Sequence, residues 1–239
     1  MPTYITRRRV LTTLALLLAA GMAARAADEI KDKASGEAEP VPVLQPGMVN
    51  CGNLIYGNGK TSRCFSAEFL TQIGEDSHVV ANTQLIPVHL ESADMFQFPF
   101  AVMTGEGSFT LTASQQANMR NYLENGGFII ASAGCSSGPW QNSFRSAIND
   151  VFPEYELATI DPSHPVFHTV YEVDQLRCKG NRTAHLEGLE IDGKIVLIFS
   201  PDGLNDTGKA GGNCCCCGGS EILNARQMNV NLLAYTLTH

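Results

Sequence analysis

Phe100-Ala101-Val102-Met103-Thr104-Gly105-Glu106-Gly107 is the stretch on which the fold turns. Its four leading apolar residues have the length of a strand buried on both faces. The glycines bracketing Glu106 make a turn at the strand's carboxyl end. Thr112 then offers a side-chain oxygen to the first N–H groups of a helix from about Ala113 to Glu124, whose apolar side is Met119, Tyr122 and Leu123. Asn125-Gly126-Gly127 ends that helix, and Phe128-Ile129-Ile130-Ala131 is a second buried strand. A glycine- and serine-rich loop over 133–138 leads to another helix near 140–150. Strand–helix–strand–helix in this order predicts a mainly parallel sheet with right-handed crossovers.

The flanks extend the pattern. Upstream, Asn53-Leu54-Ile55-Tyr56 reads as a short strand before the turn Gly57-Asn58-Gly59. Residues 65–74 can form a helix, and Val79 to Leu90 holds one or two strand-like pieces. Downstream, Leu186 to Phe199 reads as a hairpin turning on Asp192-Gly193, with Lys194 to Phe199 as its inner strand. A loop of about twenty residues follows, a length usually tied to function or disorder. A helix from about Glu221 to Leu237 closes the chain, apolar at Ile222, Ala225, Leu232, Leu233 and Leu237. Residues 50–239 are therefore expected to form a single α/β domain.

The front end differs in character. Arg7-Arg8-Arg9 precede a mostly apolar run from Val10 to Met22, too short for a spanning helix. Ala24-Arg25-Ala26 is a small-x-small cleavage site, so 1–26 reads as an export signal and the mature chain as starting at Ala27. Thr6-Arg7-Arg8-Arg9-Val10-Leu11 resembles a twin-arginine signal. That implies passage through the twin-arginine translocase in a folded state, and a periplasmic or secreted location. Residues 27–49 are polar and proline-punctuated, a flexible tail. The removed segment carries four arginines and no acid, so its loss takes the formal charge from −8 to −12. An acidic chain without a basic stripe argues against nucleic acid as a partner. No later apolar run is long enough to give the mature chain a stable membrane span.

The twenty-residue loop carries the strongest chemical signal. Cys214-Cys215-Cys216-Cys217 lie between glycine pairs and make up half of the eight cysteines. A disulfide between neighbours is strained, because adjacent Cα atoms sit about 3.8 Å apart and disulfides prefer about 4.4–6.8 Å. Soft thiolates select Cu(I), Zn(II) or an iron–sulfur cluster. In an extended segment the four side chains point alternately to two sides, so one metal would not take all four. Either two of them join Cys51, Cys64, Cys135 or Cys178, or all four bridge a cluster. A closing helix starting near Gly219 would set its positive end by Cys216 and Cys217 and favour thiolate. Redox or disulfide chemistry in the run, and an inert loop, are the alternatives. Cys51-x12-Cys64 is no standard metal spacing, and Cys51, Cys64 and Cys178 read equally well as isolated buried cysteines.

Several segments together resemble a bacterial family of unknown function. They are Phe98 to Gly105, Leu123 to Phe128, Phe144-Arg145 with Val151-Phe152-Pro153, His164 to His168, and Asn231 to His239. The family is similar in fold to the class I glutamine amidotransferases, which implies a flavodoxin-like α/β sandwich over residues 50–239. Its members occur alone or at the end of large membrane proteins of aerotolerance-type operons, which permits a protein partner and a non-catalytic interaction domain. The resemblance would put a histidine where Glu106 stands. In amidotransferase-like folds a nucleophile follows a strand and precedes a helix, as Cys135 does. The local Ala133-Gly134-Cys135-Ser136-Ser137-Gly138 lacks the G-x-C-x-G pattern. His164 or His168 could supply the base such a cysteine needs, and Glu106 is a further candidate base. Pro165 breaks any continuous helix through the two histidines, which makes them a weak metal pair. The leading expectation is an exported thiolate-rich metal or cluster protein. The alternatives are a cysteine-dependent hydrolase built on Cys135 and an interaction domain.

Overall fold

A computed structural model describes residues 42–61, 64–207 and 222–239. The expected signal over 1–26, most of the polar tail and the Cys214–Cys217 run lie outside the described residues. The chain forms β1 (Val49–Ile55), α1 (Glu68–Asp76), β2 (Ala81–His89), β3 (Phe100–Gly105), α2 (Ala113–Glu124), β4 (Phe128–Ala133) and α3 (Gly138–Val151). Then come the short β5 (Ala158–Thr159), β6 (Leu176–Arg177) and β7 (Thr183–Ala184), followed by β8 (Glu187–Ile191), β9 (Lys194–Ser200) and α4 (Ala225–Thr238).

One seven-stranded sheet runs β2-β1-β3-β4-β9-β8-β5. The first five strands are mutually parallel. Their order is that of the flavodoxin-like doubly wound sheet, in which ligands collect at the carboxyl ends of the strands. β8 and β5 continue the sheet antiparallel, while β6 and β7 form a separate ribbon. The central strands are consecutively apolar because alternate residues enter different cores. Phe100, Val102, Phe128, Ile130 and Ile198 pack with α1 and α4. Ala101, Met103, Ile129, Ala131, Leu197 and Phe199 pack with α2 and α3. The result is the expected α/β sandwich with a mainly parallel sheet.

Local chemistry sets the boundaries. Thr112 caps α2 by accepting from Gln115 N at 3.3 Å, and Gln115 Oε1 accepts in return from Thr112 N at 3.2 Å, a capping box. Asp192 (φ +51°) and Gly193 (φ +78°) are both left-handed, as a two-residue type I′ hairpin turn requires. β9 lies inside the sheet, between β4 and β8.

Two helix starts depart from expectation. α1 begins at Glu68 rather than 65, because Ser66 is drawn into the loop after β9 by its N–H to Asn205 O (2.9 Å). The closing helix begins at Ala225 rather than near Gly219 or Glu221. Ile222 is instead bridged to Cys178, with Leu223 N donating to Arg177 O at 2.6 Å. Cys217 therefore precedes the helix by eight residues. Among the described residues no helix is long and apolar enough to cross a membrane.

Candidate functional site

Three parallel strands end in a small buried hydroxyl. Thr104 is the penultimate residue of β3, Ser132 the penultimate residue of β4, and Ser200 closes β9; each is fully buried. Ser132 Oγ accepts from Leu204 N at 2.8 Å and donates to Asn205 Oδ1. Asn205 Nδ2 donates to Thr104 Oγ1 at 3.2 Å, and Ser200 Oγ accepts from Gly203 N at 3.1 Å. Buried polar groups persist when they are paired in this way. The network anchors the loop after β9 beneath the carboxyl edge. Sequence reasoning missed it, although a lone hydroxyl ending an apolar run was a visible signal.

Beside it, Tyr56 Oη donates to Thr104 O (3.1 Å) and accepts from Trp140 Nε1 (2.6 Å). Burial pushes the Tyr56 hydroxyl up to about 12, against the opposing Trp140 bond. A Cβ on Gly105 would meet Tyr56 Oη at 2.4 Å and Trp140 Nε1 at 3.0 Å, so only glycine fits there.

On this base the turns after β3 and β4 are knitted together. Ser137 Oγ accepts from Gly107 N at 3.1 Å, and Lys60 Nζ donates to Glu106 O at 3.2 Å. Ser136 Oγ donates to Asp202 O at 3.0 Å, which ties in the β9 loop. A Cβ on Gly134 would meet Gly105 O at 3.0 Å and Glu106 Cγ at 3.1 Å. This close approach brings Cys135 and Glu106 together, with Sγ 3.0 Å from Oε1.

Cys135 (φ +52°) and Ser136 (φ +51°) are consecutive left-handed residues without a glycine. Such backbone is costly and concentrates at functional sites. Cys135 is half-buried and disulfide-bonded. None of Cys51, Cys64 and Cys178 is in a disulfide, so the partner of Cys135 lies outside the described residues. A bonded sulfur has no proton to donate. After reduction, the Cys135 thiol would point its S–H into the Glu106 carboxylate.

The other sequence-derived residues lie elsewhere. Cys51 sits in β1 inside the core, where burial pushes its thiol up. Cys178 is buried beside Ile222 and is also pushed up, chiefly by burial, and Cys64 is buried. His164 is not near Cys135: its Nδ1 accepts from Val166 N at 3.1 Å, and desolvation lowers its pKa. His168 bonds to Pro162 O through Nε2 (2.7 Å) and to Glu172 through Nδ1 (2.6 Å), which together raise its pKa, the carbonyl most. The group beside Cys135 is thus Glu106, with both histidines engaged in their own loop.

The sequence model for Domain of unknown function (DUF4159) matches residues 51–237. The chain belongs to the DUF4159 family. No curated protein matches it. The match begins within β1 and ends in the last turn of α4, so every turn at the carboxyl edge of this DUF4159 domain lies inside it.

Proposed function

We propose that this domain carries out thiol–disulfide exchange outside the cytoplasm, with Cys135 as the sulfur that meets a protein partner. The observation that carries this reading is Cys135 itself: left-handed, half-buried, disulfide-bonded and 3.0 Å from a carboxylate at the ligand-binding edge of the sheet. The cysteine run Cys214 to Cys217 is the proposed source of the second sulfur. A thiolate of a partner dithiol attacks the Cys135 sulfur. The S–S bond breaks, a mixed disulfide forms, and the departing thiolate takes a proton. The partner's second thiol then displaces the domain. The partner leaves as a disulfide, and the domain gains two electrons and two protons.

Peptide mapping of protein purified without reductant tests this. A peptide holding Cys135 should be linked to the one holding Cys214–Cys217, and dithiothreitol should separate them. Quantitative alkylation of Cys135 before reduction would reject the proposal. A second reading shares the run: reduced Cys214 to Cys217 hold Cu(I), Zn(II) or an iron–sulfur cluster, supported by four adjacent thiols in a glycine-flanked loop. Stoichiometric metal in anaerobically purified protein, with all four cysteines reduced, would favour it.

Glu106→Gln separates exchange from hydrolysis. At 3.0 Å a carboxylate disfavours the Cys135 thiolate by about 1.4 kcal/mol even under full water screening, a factor of roughly ten. The thiolate of a more acidic thiol is also less nucleophilic, which offsets about half of the logarithmic gain. Reduced Glu106→Gln protein should therefore be alkylated at Cys135 about three to four times faster at neutral pH. A slower rate would mean that Glu106 takes the thiol proton as a base, and would favour the cysteine-hydrolase reading.

A further inference from the structure

We propose that His168, Glu172 and Asp174 form a divalent transition-metal site, on a different loop from Cys135. One ligand atom from each lies within 4.8 Å of the others. Nε2 of His168 faces the carbonyl of Pro162 at 2.7 Å. A backbone carbonyl in that position fixes the ring and its tautomer, as it does for histidines that ligate metals. Nδ1 is left facing Glu172 Oε2 at 2.6 Å. A ring nitrogen and a carboxylate oxygen that close are joined by a proton or by a metal ion.

The loop is held from beneath by one core side chain. Asn231, fully buried on α4, accepts from Val170 N (3.0 Å) and Tyr171 N (2.8 Å) through Oδ1. Its Nδ2 donates to Phe167 O (2.7 Å) and Tyr171 O (2.8 Å). Val173 N donates to Phe167 O at 3.0 Å and closes the loop. Val173 is buried while Glu172 and Asp174 are exposed, so the carboxylates flank an inward anchor. The His168 side chain is 25% exposed and that of Glu172 78%. The imidazole is thus positioned, and the carboxylate can adjust.

Zn(II) suits this set best. Ligand bonds of about 2.0–2.2 Å at a tetrahedral angle separate donor atoms by roughly 3.4 Å, so Glu172 must swing out by under about 1 Å and donor atoms as far apart as 4.8 Å must close by about 1.4 Å. One imidazole with two carboxylates favours a transition ion over Mg(II) or Ca(II), which take oxygen ligands. Solvent completes the coordination on the Glu172 side.

The test is a Zn(II) titration of full-length protein with Cys135 and Cys214 to Cys217 replaced by serine, which removes the thiolates of the run and the thiol it would release beside Glu106 from the isotherm. This protein should bind about one equivalent. His168→Ala and Glu172→Gln in the same background should each weaken binding at least about tenfold. His185→Ala, at an exposed histidine paired with Glu187, should leave the isotherm unchanged. Glu172→Gln changes an exposed side chain, so it reads ligation even if His168→Ala perturbs the loop. Identical isotherms for parent and Glu172→Gln, or no binding up to millimolar Zn(II), would overturn the site. The outcome is independent of Cys135.

Discussion

Cys135→Ser protein is expected to be less stable than its parent by about 4 kcal/mol under non-reducing conditions. A bond from Cys135 to the run at Cys214–Cys217 closes a loop of about 80 residues. Loop entropy assigns about 3 kcal/mol to a 15-residue closure and about 4.7 to a 100-residue one. Serine is close to cysteine in size and the site is only half-buried, so lost packing adds little. Urea unfolding with and without dithiothreitol checks this. The parent should fall to the level of the variant on reduction, and the variant should not respond. A difference below 1 kcal/mol between the oxidised proteins would show that Cys135 is not bridged in the folded molecule.

Trp140→Ala should cost about 3–5 kcal/mol, the range for removing a large buried aromatic side chain. The indole is fully buried, stacked on Phe144 at 5.2 Å and tilted against Phe109 at 5.6 Å. It is also the donor to Tyr56 Oη, whose own proton goes to the carbonyl of Thr104. Alanine leaves both a cavity and a buried hydroxyl short of a partner. Trp140→Phe keeps a ring and removes only the donor, so it should lose about 1–2 kcal/mol. Denaturant midpoints for the two variants separate packing from hydrogen bonding. Equal losses would assign the whole effect to the hydrogen bond and reject the packing argument.

The central sheet was legible because burial on both faces makes β3, β4 and β9 continuously apolar. Thr112 and Asp192-Gly193 were legible because capping and left-handed turns depend on local chemistry. The start of α4 was not. Ile222 continues the apolar pattern, but it is buried through its bridge to Cys178 rather than on a helix face. β5, β6 and β7 are two residues each, too short to carry a period. At the candidate site each residue was visible, but the pairing was not. Glu106 and Cys135 meet because β3 and β4 are neighbours in register, from Phe100↔Phe128 to Gly105↔Ala133. Hydrophobic spacing does not encode which strands are adjacent. His168 looked like a base for Cys135, whereas its partner is Glu172, four residues along the chain.

The place of β9 bears on the order of assembly. Its hairpin with β8 is local and can form within microseconds. Its pairing with β4, such as Ile129↔Leu197, joins segments far apart in sequence and waits on closure of the long connection between them. Cys135 follows β4, and the cysteine run follows β9. In the proposed pairing the two sulfurs become neighbours only once β9 has docked. With that pairing, oxidation would act as a checkpoint: it would seal chains whose longest-range sheet contact is complete and leave incompletely folded ones reducible.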